Sequence, residues 1–368
     1  MNRQQPNLSF DQEALARYNV LAINTGSTST KIAVYNGLTP VVEMSIAHST
    51  EELSQFKSVP EQYEWRKDVI LKVLGDKGFD IDTLSAVIGR GGLLRPIESG
   101  VYEVSDRMID DLRNANVQHA SNLGAMIASE IAALCHVKAY IADPIVVDER
   151  DEVAKITGIK QIRRRSIFHA LNQKAVAKRY AKEVGKKYED LNLLVCHMGG
   201  GISVGAHVKG SVIDTENALD GEGPFSPERA GSLPSGDLVR LCFSGKYTEA
   251  EIKKMITGQG GLVAYVNSTD MKQLLIDAET DPKIAEVMDA FHYQIAKEIG
   301  AMAAVMCGQI DQIILTGGVA YGRESVEAIT KHVGWIAPIT VYPGEDELLA
   351  LTQGALRVLK GEEKLMEY

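Results

Sequence analysis

Val20-Leu21-Ala22-Ile23-Asn24-Thr25-Gly26-Ser27-Thr28-Ser29-Thr30-Lys31-Ile32-Ala33-Val34-Tyr35 is the stretch that decides the fold. Two apolar runs of strand length flank a loop of small hydroxylated residues around one glycine. Glycine lets the backbone turn without steric cost. Successive N–H groups and hydroxyls in such a loop can converge on an anion, and Lys31 adds a compact positive charge. The loop does not have the spacing of a Walker loop. Taken alone it reads as well as a polar hairpin turn. Asn36-Gly37 then signals a tight turn, and Val41 to Ala47 a third strand.

The pattern returns roughly 170 residues later. Leu193 to His197 reads as a strand, Met198-Gly199-Gly200-Gly201 as a glycine turn, and Ile202 to Val208 as a second strand. Lys209-Gly210 is a turn before a third strand, Ser211 to Asp214. Strand, small-residue loop, strand, turn, strand occurring twice predicts two related α/β domains. Three consecutive glycines cost backbone entropy on ordering. They suit either a ligand that must approach the backbone or a bulge. A third small loop, Thr316-Gly317-Gly318, ends the apolar run Ile313-Ile314-Leu315. Helices are predicted over 61–74, 105–113, 121–135, 168–184 with Ser166 as N-cap, 285–306 and 345–359. Further strands fit 86–88 and 139–141, and residues 1–18 a polar extension or short helix. No Pro-rich linker separates the halves, which predicts apposed domains with the site between them.

Composition narrows the function. The chain has 368 residues, 45% hydrophobic and 24% charged, with a formal net charge of −10. Such acidity argues against nucleic acid or a membrane surface as the main partner. An anionic substrate would need local arginines. Four widely spaced cysteines without a CxxC pair form no disulfide framework and fit a reducing cytoplasm. The N-terminus lacks the apolar core of a signal peptide. The apolar stretch Ile299 to Met306 is far short of the ~20 residues that span a bilayer.

The order strand–loop–strand, strand–triple glycine–strand, strand–double glycine matches the phosphate and adenosine layout of the superfamily of actin, heat-shock chaperones and sugar kinases. Within it, Asn24 to Lys31 resembles the N-x-G-S-S/T-S-x-K signature of the acetate and butyrate kinases, the acetokinase family. His197 to Gly201 is similar to that family's His-Leu-Gly-Asn-Gly segment. Gly89-Arg90-Gly91-Gly92, His119-Ala120-Ser121-Asn122, Asp143-Pro144 and Phe168-His169 have counterparts in the same order, so the likeness covers about Val20 to Lys360. The runs Ser166 to Gln173, Leu219 to Phe225 and Gly260 to Tyr265 resemble the butyrate kinase branch. One departure is plain. Where acetate kinases carry Phe-His-Gly-Thr-Ser-His, this chain has Phe168 to Gln173, leaving His169 without the second histidine.

The resemblance implies two duplicated actin-like (ribonuclease H-like) α/β domains with an interdomain active-site cleft. Their expected bounds are 18–145 plus about 350–368, and 146–349. It implies a Mg²⁺-ATP phosphotransferase acting on a short-chain carboxylate, with butyrate as acceptor or else acetate, propionate or a branched acid. A homodimer is usual for the family. An ATP-switched binding protein is the reading from another class. A carboxylate is already ionised at pH 7, its pKa being about 4, so the reaction needs no general base. It needs arginines, Mg²⁺ and hydrogen-bond donors to hold two anions in line. The resemblance assigns Arg90 and Arg229 as clamps on substrate and phosphoryl group, with His119 and His169 as donors. Asp143 and Glu347 are assigned to Mg²⁺, although Glu345 and Asp346 crowd beside Glu347. Asn24, Ser27, Ser29, Lys31, His197, Gly199, Gly200, Gly201, Asp270, Gly317 and Gly318 are assigned to the nucleotide. The run Arg163-Arg164-Arg165 reads as a solvated face.

Overall fold

The structure, a computed structural model, describes residues 15–115 and 118–368. The N-terminal extension expected over 1–18 therefore falls largely outside the described residues. The chain forms two compact units: residues up to Val146 with Asp346–Tyr368, and Val147–Glu345.

In the first unit, β1 (Asn19–Thr25) and β2 (Ser29–Asn36) form the expected hairpin, with Asn24 opposite Lys31. β3 (Thr39–Ala47) extends it antiparallel. On the other side β1 pairs in parallel with β4 (Ala86–Arg90), and β4 with β6 (Lys138–Ala142). β5 (Val101–Glu103) closes the edge antiparallel to β6, giving the order β3-β2-β1-β4-β6-β5. Two short helices, α1 (Thr50–Leu53) and α3 (Asp106–Arg113), and the longer α2 (Tyr63–Asp76), α4 (Asn122–Leu134) and α12 (Glu347–Leu359) complete the unit. Both α4 and α12 pack on β1 and β4. Val20 to Thr25 is therefore buried throughout, and Val20 to Ile23 reads as a continuous apolar run. β3 is an edge strand and alternates instead, with Val42, Met44 and Ile46 against the core.

The second unit repeats the plan. β7 (Asn192–Met198), β8 (Ile202–Val208) and β9 (Ser211–Asp214) run antiparallel. β10 (Gln312–Gly317) and β11 (Ile339–Pro343) add in parallel, in the order β11-β10-β7-β8-β9. β9-β8-β7-β10-β11 thus matches β3-β2-β1-β4-β6 strand for strand, as the repeated pattern predicts. α5 (Ala170–Glu183) packs on β7 and β10, and α10 (Pro282–Val305) on β7, β8 and α11 (Arg323–Val333). The remaining helices, for which the sequence reading predicted no helix, are α6 (Ser235–Cys242), α7 (Glu249–Ile256), α8 (Leu262–Val266) and α9 (Met271–Asp277).

Four local readings need correction. α5 begins at Ala170, with His169 rather than Ser166 at the N-cap. Ile167 is tied into a bridge with Asn217, and Phe168 is buried with Val147 and Val212, so neither is available to a helical turn. α10 begins at Pro282, where proline suits the first helical position, and Asp281 caps it through the N–H groups of Lys283 and Ile284. The turn between β2 and β3 is Gly37-Leu38, because Asn36 pairs with Thr39, and Gly37 takes φ +60°. Arg164 is no solvated residue. It donates to Asp214 and Glu222 and to the carbonyls of Ala154 and Thr215.

α4 and β4 meet backbone to backbone. A Cβ on Gly89 would lie 2.2 Å from Gly124 O. A Gly89→Ala variant should therefore lose roughly 1–3 kcal/mol of stability. Gly300 lies inside α10 with nothing within 4 Å of its Cβ position, so Gly300→Ala should gain about 0.5–1 kcal/mol. Thermal melts of the two variants would show shifts of opposite sign.

His292 adds a pH term. It is buried on α10, with Nε2 2.9 Å from Ser325 Oγ. Burial, opposed by Asp289, holds its imidazole down to about 4. The unfolded chain takes up this proton near pH 6.5 and the fold does not, so stability is full above 6.5 and falls as pH drops toward 4. The slope for this one proton is about 1.4 kcal/mol per pH unit. Melting temperatures from pH 7.5 to 5 should fall less steeply in His292→Gln than in the parent.

Candidate active site

Parallel pairing gathers the first unit's polar groups. Ile23 is level with Gly89, and Arg90 with Ala142, so Asn24, Arg90 and Asp143 stand at the C-terminal ends of three neighbouring strands. Ligands of open α/β sheets bind at such ends. Asn24 is the hub. Its Oδ1 accepts from Arg90 Nη1 at 3.3 Å, and its Nδ2 donates to Glu347 Oε2. Arg90 Nη1 also lies 3.5 Å from Glu347 Oε1. The three crowded acids are thereby sorted. Asp346 caps α12 by accepting from Leu349 N–H, while Glu347 points to Arg90.

Asp143 is buried and takes a left-handed φ of +38° ahead of Pro144. Its Oδ1 accepts from Ser99 Oγ at 2.6 Å and from Gly100 N–H at 2.9 Å. A non-glycine residue held in that region stores strain, which clusters at functional sites. His119 sits on a segment pinned at both ends. Thr25 Oγ1 donates to Ala120 O, and Asn122 Oδ1 accepts from Leu93 N–H. His119 Nδ1 accepts from Ser121 N–H at 3.2 Å. In the neutral ring this puts the proton on Nε2.

Beneath the first loop lies a residue the sequence reading missed. Arg66, on α2, is 1% exposed. It donates to the carbonyls of Gly26, Ser27 and Ser29, to Thr30 Oγ1 and to Gln62 Oε1. Thr28 O is taken by His48 N–H. Four successive carbonyls are thus each held by a hydrogen bond, with the Ser27 and Thr28 side chains exposed on the loop. Each of these hydrogen bonds of Arg66 goes to a neutral oxygen, and burial brings its guanidinium down to about 10. The sequence did carry a signal for it. Gln62, Arg66, Ile70 and Leu74 repeat every four residues along one buried stripe, and an arginine inside such a stripe has to be satisfied internally.

The second unit builds its own cluster on β7, β10 and β11. His197 lies one residue before the end of β7, and its Nδ1 lies 2.8 Å from Asn172 Oδ1. Its Nε2 is 3.2 Å from Glu345 Oε1, out of line for a hydrogen bond. The His169 ring stacks on it, centroids 3.8 Å apart at 13°. The glycines that follow are required by their neighbours. A Cβ on Gly199 would meet Glu345 Oε1 at 2.7 Å, and one on Gly201 would meet Arg229 Nη1 at 2.1 Å. Gly200 packs more loosely, near Glu228. Ser226 Oγ donates to Gly200 O and accepts from Arg229 N–H, which fixes the Arg229 loop against the glycines. Arg229 Nη1 also donates to Ala218 O. Gly317 has φ +89° and lies against the backbone of Met198, whereas nothing stands within 4 Å of a Cβ on Gly318.

The two clusters therefore bring together Asn24, Arg90 and Glu347 in one unit, with Lys31 opposite Asn24 in the hairpin, and His169, His197, Gly199, Gly201 and Arg229 in the other. Asp270 stands apart: it is exposed and caps α9 through Gln273 N–H.

Residues 152–341 match the model of the acetokinase family. The chain is 57% identical to Butyrate kinase 2 of Clostridium acetobutylicum over 96% of its length and 99% of that protein. It is 56% identical to Butyrate kinase 1 of the same organism over 95% and 99%. The chain belongs to the acetokinase family. Among solved structures, acetate kinase of Porphyromonas gingivalis superposes with a TM-score of 0.78 at 18% identity, covering 93% of this chain and all of that one. A propionate kinase of Francisella tularensis gives 0.75 at 16%, covering 92% and 98%. These two share the fold. As an acetokinase-family member the protein is an enzyme, a kinase.

Among the described residues no group of three or more His, Cys, Asp or Glu could hold a metal ion. That donor set still suits Mg²⁺ brought in on a nucleotide, which takes one or two carboxylates and fills the rest with water and phosphate oxygens. Asp143 and Glu347 are hard oxygen donors of that kind.

Arg66→Lys keeps a charge under the first loop but loses the planar fork. The freed carbonyls should cost about 1–3 kcal/mol and raise the KM for nucleotide. A melt and a nucleotide titration check both; unchanged values in the two would remove Arg66 from this role.

Proposed function

We propose that the protein transfers the γ-phosphoryl group of ATP to butanoate, giving butanoyl phosphate and ADP. The observation that carries this reading is the likeness to the two clostridial butyrate kinases over nearly the whole of each chain. A carboxylate oxygen of the acid forms a bond to the γ-phosphorus, and the bond from that phosphorus to the β,γ-bridging oxygen breaks. Its electron pair leaves with ADP. The acid is already ionised, so no proton has to be removed.

What remains is anion against anion, and the groups found in the two units answer that need. Arg90, oriented by Asn24 and Glu347, neutralises the acid. Arg229, fixed against Gly201, neutralises the transferring group. His119 and His169 donate to phosphoryl oxygens. The loop over Arg66, with Ser27, Ser29 and Lys31, and the glycines at 199–201 and 317–318 bind the nucleotide through backbone and hydroxyl groups. Asp143 and Glu347 would hold Mg²⁺, which supplies neutralisation of the phosphate charge. A reducing cytoplasm suits the four free cysteines, and no helix among the described residues is long and apolar enough to cross a membrane.

The test is an ATP-dependent hydroxamate assay run from acetate to hexanoate with branched acids. Butanoate should give the highest kcat/KM. Arg90→Ala and Arg229→Ala should each lose about 10²-fold or more in kcat with the fold intact. Asp143→Asn should shift the Mg²⁺ titration to higher concentration. Absence of acyl phosphate with every acid would refute the reading.

A further inference from the structure

A line of buried polar side chains runs from the core of the second unit to His169. Tyr188, His207, Gln173 and Ser203 are all buried, the last three completely. Tyr188 Oη lies 2.7 Å from His207 Nδ1, and His207 Nε2 lies 2.9 Å from Gln173 Oε1. Gln173 Nε2 reaches Ser203 O at 3.1 Å and Ser203 Oγ at 2.9 Å. Ser203 Oγ is 2.8 Å from His169 Nδ1 and also accepts from His169 N–H.

The direction of every bond follows from which atoms can only accept or only donate. Ser203 O is a carbonyl, so the amide nitrogen of Gln173 must face it, and Gln173 Oε1 faces His207. An amide oxygen only accepts, so His207 Nε2 carries the proton. Burial, with Lys174 adding to it, pushes His207 well below its usual range and keeps it neutral. Its Nδ1 then accepts from the Tyr188 hydroxyl. Ser203 Oγ accepts from Gln173 and from His169 N–H, which fills both lone pairs of a hydroxyl. Its own proton has one direction left, toward His169 Nδ1. His169 is thereby an acceptor at Nδ1 and a donor at Nε2.

The strand makes room for this line. Gly205 lies inside β8, where glycine weakens a strand. A Cβ there would stand 2.3 Å from Gln173 Oε1 and 2.9 Å from His207 Nε2. Gln173 also occupies the place of the second histidine in the acetate kinases' motif.

We propose that Gln173, Ser203 and His207 are positioning residues that fix the tautomer of His169, so that its Nε2–H is always presented as a donor to the transferring phosphoryl group. The proposal rests on the kinase reading above for what His169 touches. The tautomer itself is independent of that reading.

The experiment uses the full chain labelled with ¹⁵N-histidine. Two-bond ¹H–¹⁵N spectra read which ring nitrogen is protonated, and His169→Gln identifies the signals. In the parent protein, His169 should be the Nε2–H form. Gln173→Met keeps most of the volume but cannot donate to Ser203. The lone pair of Ser203 Oγ so freed can accept from the ring, and His169 should shift toward the Nδ1–H form. The kcat for acyl phosphate should fall roughly 10²-fold, as when a transition-state donor is lost, with the KM for ATP within about twofold of the parent. Ser203→Ala, a smaller change, should abolish the tautomer preference and lower kcat likewise. An Nδ1–H form in the parent would overturn the proposal whether or not the variants fold. So would a tautomer or a kcat unmoved in the variants. If the tautomer switches as expected while His169→Gln retains full activity, the role given to His169 in the kinase reading fails instead.

Discussion

The parallel register of β1, β4 and β6 is the constraint on which the first unit depends. Side-by-side parallel strands end at the same edge, so residues far apart in sequence, Asn24, Arg90 and Asp143, arrive at one level. The close contact of Gly89 with Gly124 lets α4 lie directly on β4. α12 then returns from the far end of the chain to pack on the same strands and delivers Glu347 to Arg90. In the second unit β7, β10 and β11 repeat the device with His197, Gly317 and Glu345. One plan used twice supplies two edges rich in backbone and charged groups, which is what chemistry between two anions requires.

The elements legible in the sequence were those whose cause is local. Both hairpins, both small-residue loops and the duplicated strand order announce themselves through apolar runs broken by glycine and hydroxyl residues. Arg66 was not legible as a loop brace, because its acceptors in the loop lie 36–40 residues away and only the buried stripe of α2 hints at it. Arg164 was misread for the same reason: its acids, Asp214 and Glu222, come from β9 and a distant loop. The start of α5 failed because tertiary ties at Ile167 and Phe168 override the helical pattern.

The three acids before α12 show where sequence and structure divide the labour. The sequence marks Glu345, Asp346 and Glu347 as a group. Only the helix start tells them apart. Once Asp346 is the cap, Glu347 falls on the first turn beside Asn24 and Arg90, and Glu345 is left facing His197. The buried line behind His169 lies further still from sequence inspection, since its direction emerges only from counting donors and acceptors across three elements.

Asp143 carries a final consequence. Its left-handed backbone is one that glycine adopts freely and aspartate does not. Glycine here would relax the chain but strip Ser99 Oγ and Gly100 N–H of their acceptor, and a buried donor left unmade costs about 1–3 kcal/mol. Backbone and side chain pull this position in opposite directions, so a library screened for heat resistance would find no easy exit from aspartate.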